Sequence, residues 1–223
     1  MRLDGAGTPR AVLFDLDGTL ADTADDLAAA VNTMRIARGL EPMPVADLRG
    51  YASMGARGLV GKGFGVGPEA PEFPALREEF LANYEAAMLV HTRLFDGMAE
   101  VLEAIERAGM RWGVVSNKIE RYVRPIIAGL GLASRCACTV GGDSAGAPKP
   151  DPAPLLLGAE LVGAAPVDCI YVGDDHRDVI AGQAAGMRTI AAAYGYCSAG
   201  VPPAQWGADH LVESVPELLR YLR

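Results

Sequence analysis

The chain has 223 residues, 50% of them hydrophobic, and a formal net charge of −8. That is the length of one large domain, or of one domain carrying an insertion, with ample apolar material for a core. The acidic balance argues against nucleic acid and against an anionic membrane surface as partners.

Met1 to Arg10 carry charges, glycines and a proline but no apolar stretch, so they read as neither a secretory signal nor a membrane anchor. No apolar run reaches the ~18 residues that a bilayer span requires. Cys136, Cys138, Cys169 and Cys197 lack Cys-x-x-Cys spacing, which predicts free thiols and a cytoplasmic setting. Ala11 to Phe14 form an apolar run, as in a strand buried on both faces of a parallel sheet. The run breaks into Asp15-Leu16-Asp17-Gly18-Thr19. Carboxylates at i and i+2 project to one side of a strand. At the strand's end they face the sheet edge where open α/β folds place ligands.

An amphipathic helix is predicted from Ala24 to about Arg38, capped by Asp22 or Thr23 and ended at Gly39. Val45 to Gly50 read as a short helix, Gly50 to Gly67 as a flexible glycine-rich interval, and Phe73 to Met88 as another helix. The run Gly58 to Gly67 invites a nucleotide-loop reading and fails it. Ala56 stands where glycine is needed, and Gly63 where Ser or Thr should follow Gly-Lys. Nothing between Asp22 and Arg93 has a buried-strand pattern.

From Phe95 the chain alternates. Helices are expected at Gly97–Ala108, Ile119–Gly129 (with Pro125 in its first turn or at a kink), Pro152–Val162, Asp175–Ala185 and Val215–Leu222. Strands are expected at Arg111–Ser116, Cys136–Val140, Asp168–Val172, Met187–Ala193 and Asp209–Val212. Such alternation predicts parallel pairing with right-handed crossovers: an α/β, Rossmann-like doubly wound parallel sheet. His91, His176 and His210 are isolated and read as ordinary surface or core histidines. Tyr194-Gly195-Tyr196 reads, with Trp206, as packing at a loop edge.

Further strand ends carry chemistry. Val114-Val115-Ser116-Asn117 offers a hydroxyl and an amide, Pro148-Lys149-Pro150 a cation, and Gly173-Asp174-Asp175 followed by Asp178 more acids. Phosphoryl transfer needs these types: a nucleophile, a proton donor, cations and hydrogen-bond donors. Asp17 suits the acid and base steps. Ser116 and Asn117 suit phosphoryl contacts, and Lys149 suits charge neutralisation.

This ordered set resembles the four motifs of the haloacid dehalogenase superfamily over nearly the whole chain, and within it the phosphoglycolate phosphatase group. Arg49 to Val60, Leu94 to Glu100, Trp112 to Lys118 and Tyr194 to Tyr196 also resemble bacterial phosphatases acting on N-acetylmuramic acid 6-phosphate. The resemblance implies that Asp15 is the nucleophile, and that the second acid, Asp17, marks a phosphatase rather than a dehalogenase. It implies a Mg²⁺ site from Asp15, the backbone carbonyl of Asp17, and Asp174, with Thr19 beside the acids. Asp178 would orient Lys149 or the metal's waters, and Asp175 would cap a helix or serve an outer role. Residues 21–94 would be a helical cap inserted into a catalytic core of 1–20 and 95–223. Ser53, Gly55 and Arg57 would face the substrate from that cap, with Arg57 meeting a carboxylate. The cap lacks the His-x-x-Lys of related phosphomutases. The expected partner is a small phosphorylated metabolite, for a monomer or homodimer. A non-catalytic binding protein on this fold is the alternative, but it would be expected to have lost one of Asp15, Asp17, Lys149 and Asp174, and all are present.

Overall fold

The computed structural model describes residues 9–197 and 200–222, so the reading of Met1 to Thr8 lies outside the described residues. Strand β1 (Ala11–Phe14) is fully buried, and the chain then passes through the two-residue strand β2 (Ala21–Asp22). Four helices follow: α1 (Ala24–Ala37), α2 (Val45–Arg49), α3 (Gly55–Phe64) and α4 (Phe73–Ala87). Strand β3 (Arg93–Leu94) pairs antiparallel with β2, closing this segment at its base. The remainder is α5 (Met98–Arg107), β4 (Arg111–Val115), α6 (Glu120–Gly129), β5 (Thr139–Val140), α7 (Ala153–Val162), β6 (Cys169–Gly173), α8 (His176–Ala184), β7 (Arg188–Ala192) and β8 (His210–Val212).

Six strands form one parallel sheet in the order β5-β4-β1-β6-β7-β8. β1 lies at the centre, where the chain switches from building one side of the sheet to building the other. That is where doubly wound folds open a crevice for ligands. The two-residue period of β1 assigns its faces. Val12 and Phe14 join a core with α5 and α6, while Ala11 and Leu13 join one with α7 and α8. The four-helix segment has an apolar cluster of its own, including Val31, Met34, Leu59, Phe80 and Tyr84.

Several local expectations change. The glycine-rich interval is largely helix α3, because its small residues let it lie close against its neighbours. A Cβ on Gly63 would stand 2.6 Å from Val31 Cγ1. Pro125 sits inside α6 rather than in its first turn. Only Thr139–Val140 of the predicted Cys136–Val140 strand is regular strand, though Ala137 and Cys138 also bond to the backbone of β4, and Val215–Tyr221 winds as 3₁₀ turns. Thr23 occupies the N-cap of α1 without capping it by its side chain, because its hydroxyl donates to Asp17 instead. The β2–β3 ribbon escaped notice because two residues carry no readable period.

This packing separates two glycines of α3. At Gly61 an added methyl meets only Val66 O at 3.5 Å, so Gly61→Ala should stabilise by about 0.5–1 kcal/mol. Gly63→Ala should destabilise by about 1–3 kcal/mol through overpacking on Val31. Urea titrations of both variants check this, and shifts of the same sign would contradict the account.

Candidate active site

β1, β4 and β6 end side by side, and their carboxyl ends hold the acids. Asp15 follows β1 directly, and its Oδ1 accepts the Leu16 N–H at 2.7 Å. Its Oδ2 has no partner among the described residues. Gly18 turns the chain at φ +83°, in the left-handed region that favours glycine. A Cβ there would lie 2.1 Å from Asp174 Oδ2, so only glycine lets the β1 loop meet the end of β6. Asp174 is fully buried; Thr19 donates its hydroxyl to it at 3.0 Å and Tyr196 its N–H at 2.8 Å.

Lys149 is buried amid this charge. Its Nζ lies 3.1 Å from Asp15 Oδ1 and 2.7 Å from Asp178 Oδ1. It also donates to the Tyr171 hydroxyl at 2.7 Å and to Val115 O at 3.1 Å. Burial works against its charge, but the Asp15 and Asp178 carboxylates outweigh that and hold its pKa above the ordinary lysine value. Burial pushes Asp178 up to about 6 despite Lys149, so near neutral pH the pair is ionic with the proton on the lysine. Asp174 is raised well above the carboxylate range by burial first and then by Asp15 and Asp178.

Carboxylate oxygens of Asp15, Asp174 and Asp178 all lie within 4.8 Å of one another. Lys149 offsets one of these charges, and Asp174 pairs with no cation among the described residues. An all-oxygen set with surplus negative charge fits a hard divalent cation. The Asp17 carboxylate lies outside this cluster. Lys118 Nζ sits 2.8 Å and 3.0 Å from its two oxygens, and the Thr23 hydroxyl donates to it at 2.5 Å. The Asp17 carboxylate is thus engaged by Lys118 and Thr23.

Asp15, Asp17, Lys118, Lys149 and Asp178 line one cavity of about 310 Å³, together with Ser116, Asn117, Ser53 and Gly55. The Ser116 Oγ accepts the Lys118 N–H at 3.3 Å and keeps its own proton free to donate. The Asn117 side chain also has a structural task. It accepts the Lys149 N–H at 2.8 Å and donates to Lys149 O at 2.9 Å, which fixes the lysine loop.

A family model described as haloacid dehalogenase-like hydrolase matches residues 12–192. The chain belongs to this family. It is 46% identical over 210 residues to a phosphoglycolate phosphatase of Xanthomonas campestris, covering 94% of this chain and 95% of that one. It is 45% identical over 213 residues to an N-acetylmuramic acid 6-phosphate phosphatase of Pseudomonas putida, covering 96% of each. Among solved structures, a predicted phosphoglycolate phosphatase from Haemophilus somnus superposes with a TM-score of 0.85 at 26% identity, covering 98% of this chain and 100% of that one.

In this hydrolase the four-helix segment meets the sheet through polar contacts that sequence reasoning missed. Arg177 grips both oxygens of Asp175, at 2.8 and 2.9 Å, and donates to Ser53 O at 2.7 Å. Asp175 caps α8, and its N–H donates to Asp178 Oδ2 at 3.0 Å, so it acts through the helix and through Arg177. Tyr196 accepts the Thr23 N–H at 2.7 Å and donates to Asp22 at 3.0 Å, and Tyr194 donates to Thr19 O at 3.0 Å. This segment therefore wraps the first motif. Trp206 is elsewhere, stacked near His176, so the expected cluster divides. Ser53 Oγ is buried without a partner. Arg57 does not line the catalytic cavity, but it lines one adjoining it. Lys118 was legible in principle, as a cation on the loop that carries Ser116. No helix among the described residues is long and apolar enough to cross a membrane, and all four cysteines are free.

Removing the central cation should expose what it offsets. Lys149→Met leaves Asp15 and the fully buried Asp178 without their cation, and should cost about 3–5 kcal/mol. Chemical denaturation in metal-free buffer measures this, and a loss below about 1 kcal/mol would show that the pair does not hold the site together.

Proposed function

We propose that this protein is a Mg²⁺-dependent phosphomonoesterase that hydrolyses a small carboxylated phosphate, 2-phosphoglycolate being the simplest, through an aspartyl-phosphate intermediate. The observation that carries the reading is the convergence of Asp15, Asp17, Ser116 and Lys149 on one cavity. Residues 21–94 serve as its cap, and residues 1–20 and 95–223 as its catalytic core. The near-equal likeness to relatives of both names supports a second reading, an N-acetylmuramic acid 6-phosphate phosphatase.

Asp15 Oδ2 attacks phosphorus. The Asp15–phosphorus bond forms as the bond to the alcohol oxygen breaks, and Asp17 gives that oxygen its proton. In the second step Asp17 takes a proton from water as the water oxygen attacks phosphorus, which frees Asp15 and releases phosphate. Lys118 Nζ, in contact with both Asp17 oxygens, offsets the charge that Asp17 carries between the two steps. For the first step Asp17 carries a proton and gives up that contact. Ser116 donates to the phosphoryl oxygens, and Lys149 offsets charge on them and on Asp15. Mg²⁺ held by Asp15, Asp174 and the Asp17 carbonyl would supply positive charge against the phosphoryl oxygens.

Asp15→Asn keeps the shape of the site but removes the nucleophile, so turnover of an aryl phosphate should vanish while thermal unfolding stays cooperative. Substantial remaining turnover would sink the mechanism. In the unaltered protein, a chelator should abolish hydrolysis and added Mg²⁺ should restore it. Full activity after exhaustive chelation would exclude the metal site.

A further inference from the structure

We propose that the substrate's leaving group occupies a second chamber beside the catalytic cavity, and that this chamber takes a ring-sized organic acid. Its anionic group would lie against Arg57 and Arg77, and its ring against Tyr84. The proposal rests on the phosphatase reading above and narrows its substrate class.

The chamber has a volume of about 250 Å³. It shares Met54–Gly55 on one wall and Asn117–Lys118 on the other with the catalytic cavity, so a phosphate ester held at Asp15 has its alcohol side facing it. Two guanidinium groups line it, Arg57 on α3 and Arg77 on α4. Neither has a hydrogen-bond or ion-pair partner among the described residues, whereas most other arginines do. Both are exposed, and two arginines beside one recess suit a carboxylate, which guanidinium groups bind in a planar, bidentate manner.

The rest of the lining is of another kind. The Tyr84 side chain is only 2% exposed, and its hydroxyl makes no well-formed hydrogen bond, although Lys118 lies beside it. A buried polar atom without a well-formed bond costs stability, so a ligand group that reached the Tyr84 hydroxyl would bind favourably there. Tyr84 stacks near Phe80, meets Tyr122 edge-on, and carries Lys118 Nζ 4.6 Å over its ring. Aromatic walls with a few polar tips suit an organic ring that carries hydroxyls. A two-carbon acid has no such ring to lay on them. It would leave most of the chamber to water, of which each molecule takes ~30 Å³. Of the two substrates in the relatives' names, the amino-sugar acid has both the ring and the carboxylate.

The test compares kcat/KM on N-acetylmuramic acid 6-phosphate, N-acetylglucosamine 6-phosphate (the same ring without the acid), 2-phosphoglycolate and p-nitrophenyl phosphate. The acidic sugar should be the best substrate. Arg57→Ala and Arg77→Ala should each lower the ratio of acidic to neutral sugar roughly 10- to 150-fold. Tyr84→Phe should weaken both sugars about 2- to 10-fold relative to the aryl phosphate. Arg107→Ala, an exposed arginine paired with Glu103, should move no ratio. Calorimetry of unphosphorylated N-acetylmuramic acid on the Asp15→Asn protein should show binding that Arg77→Ala removes. Preference for 2-phosphoglycolate with unmoved sugar ratios overturns the chamber and leaves the phosphatase standing. Failure to hydrolyse any of the four phosphates overturns the phosphatase, and the calorimetry then decides the chamber alone.

Discussion

Three carboxylates packed within 4.8 Å of one another, two of them paired with a single buried lysine, are the constraint around which this molecule is arranged. Ions removed from water lose their hydration, and their mutual attraction repays the loss only when geometry and further hydrogen bonds are good. The surroundings of Lys149 meet that condition. Asn117 ties down its backbone with two hydrogen bonds, and the lysine's third N–H is shared between the Tyr171 hydroxyl and Val115 O. Around Asp174, Gly18 and Gly195 stand so close that a Cβ on either would collide with the carboxylate or its stem. The loops after β1, β4, β6 and β7 are thus shaped to one another through the charges they surround.

The four-helix segment inherits its position from the same centre. Asp22, at the end of β2, receives the Tyr196 hydroxyl at 3.0 Å and Arg49 at 3.0 Å, and Arg49 lies 4.9 Å over the Tyr196 ring. Tyr196 in turn gives its N–H to Asp174. One residue therefore touches both the acidic cluster and the base of the helical segment, while Arg177 and Ser53 make a second link on the far side of the cavity. Contacts of this type are directional. They set an orientation without sealing the two layers as an apolar core would.

Division of labour follows from that arrangement. The sheet edge supplies acids and a cation suited to a phosphoryl group, and its side chains leave little with which to distinguish one alcohol from another. The recess between α4 and the Asn117–Lys118 loop has the opposite character, with aromatic walls and guanidinium groups. Lys118 stands on the boundary, bound to Asp17 on one side and lying over Tyr84 on the other.

Much of this was legible in the chain itself. The two-residue period of β1 and the acids at Asp15 and Asp17 place carboxylates at a sheet edge, because local sequence dictates which way successive side chains point. The alternation after Phe95 dictates parallel strands, because only a crossover helix returns the chain in the same direction. The helical character of Gly55–Phe64 was hidden, since its glycines have low intrinsic propensity and become helical through close packing on α1. The partners of Asp17 were hidden too, because Lys118 is 101 positions away and no local period reports a meeting at that distance. The same holds for Tyr196 with Thr23, 173 positions apart. By itself the sequence determined which residues stand at strand ends and on which side. Tertiary structure alone decided which of them touch and which cavity Arg57 lines, because those contacts depend on how separate loops pack together rather than on the pattern within any one of them.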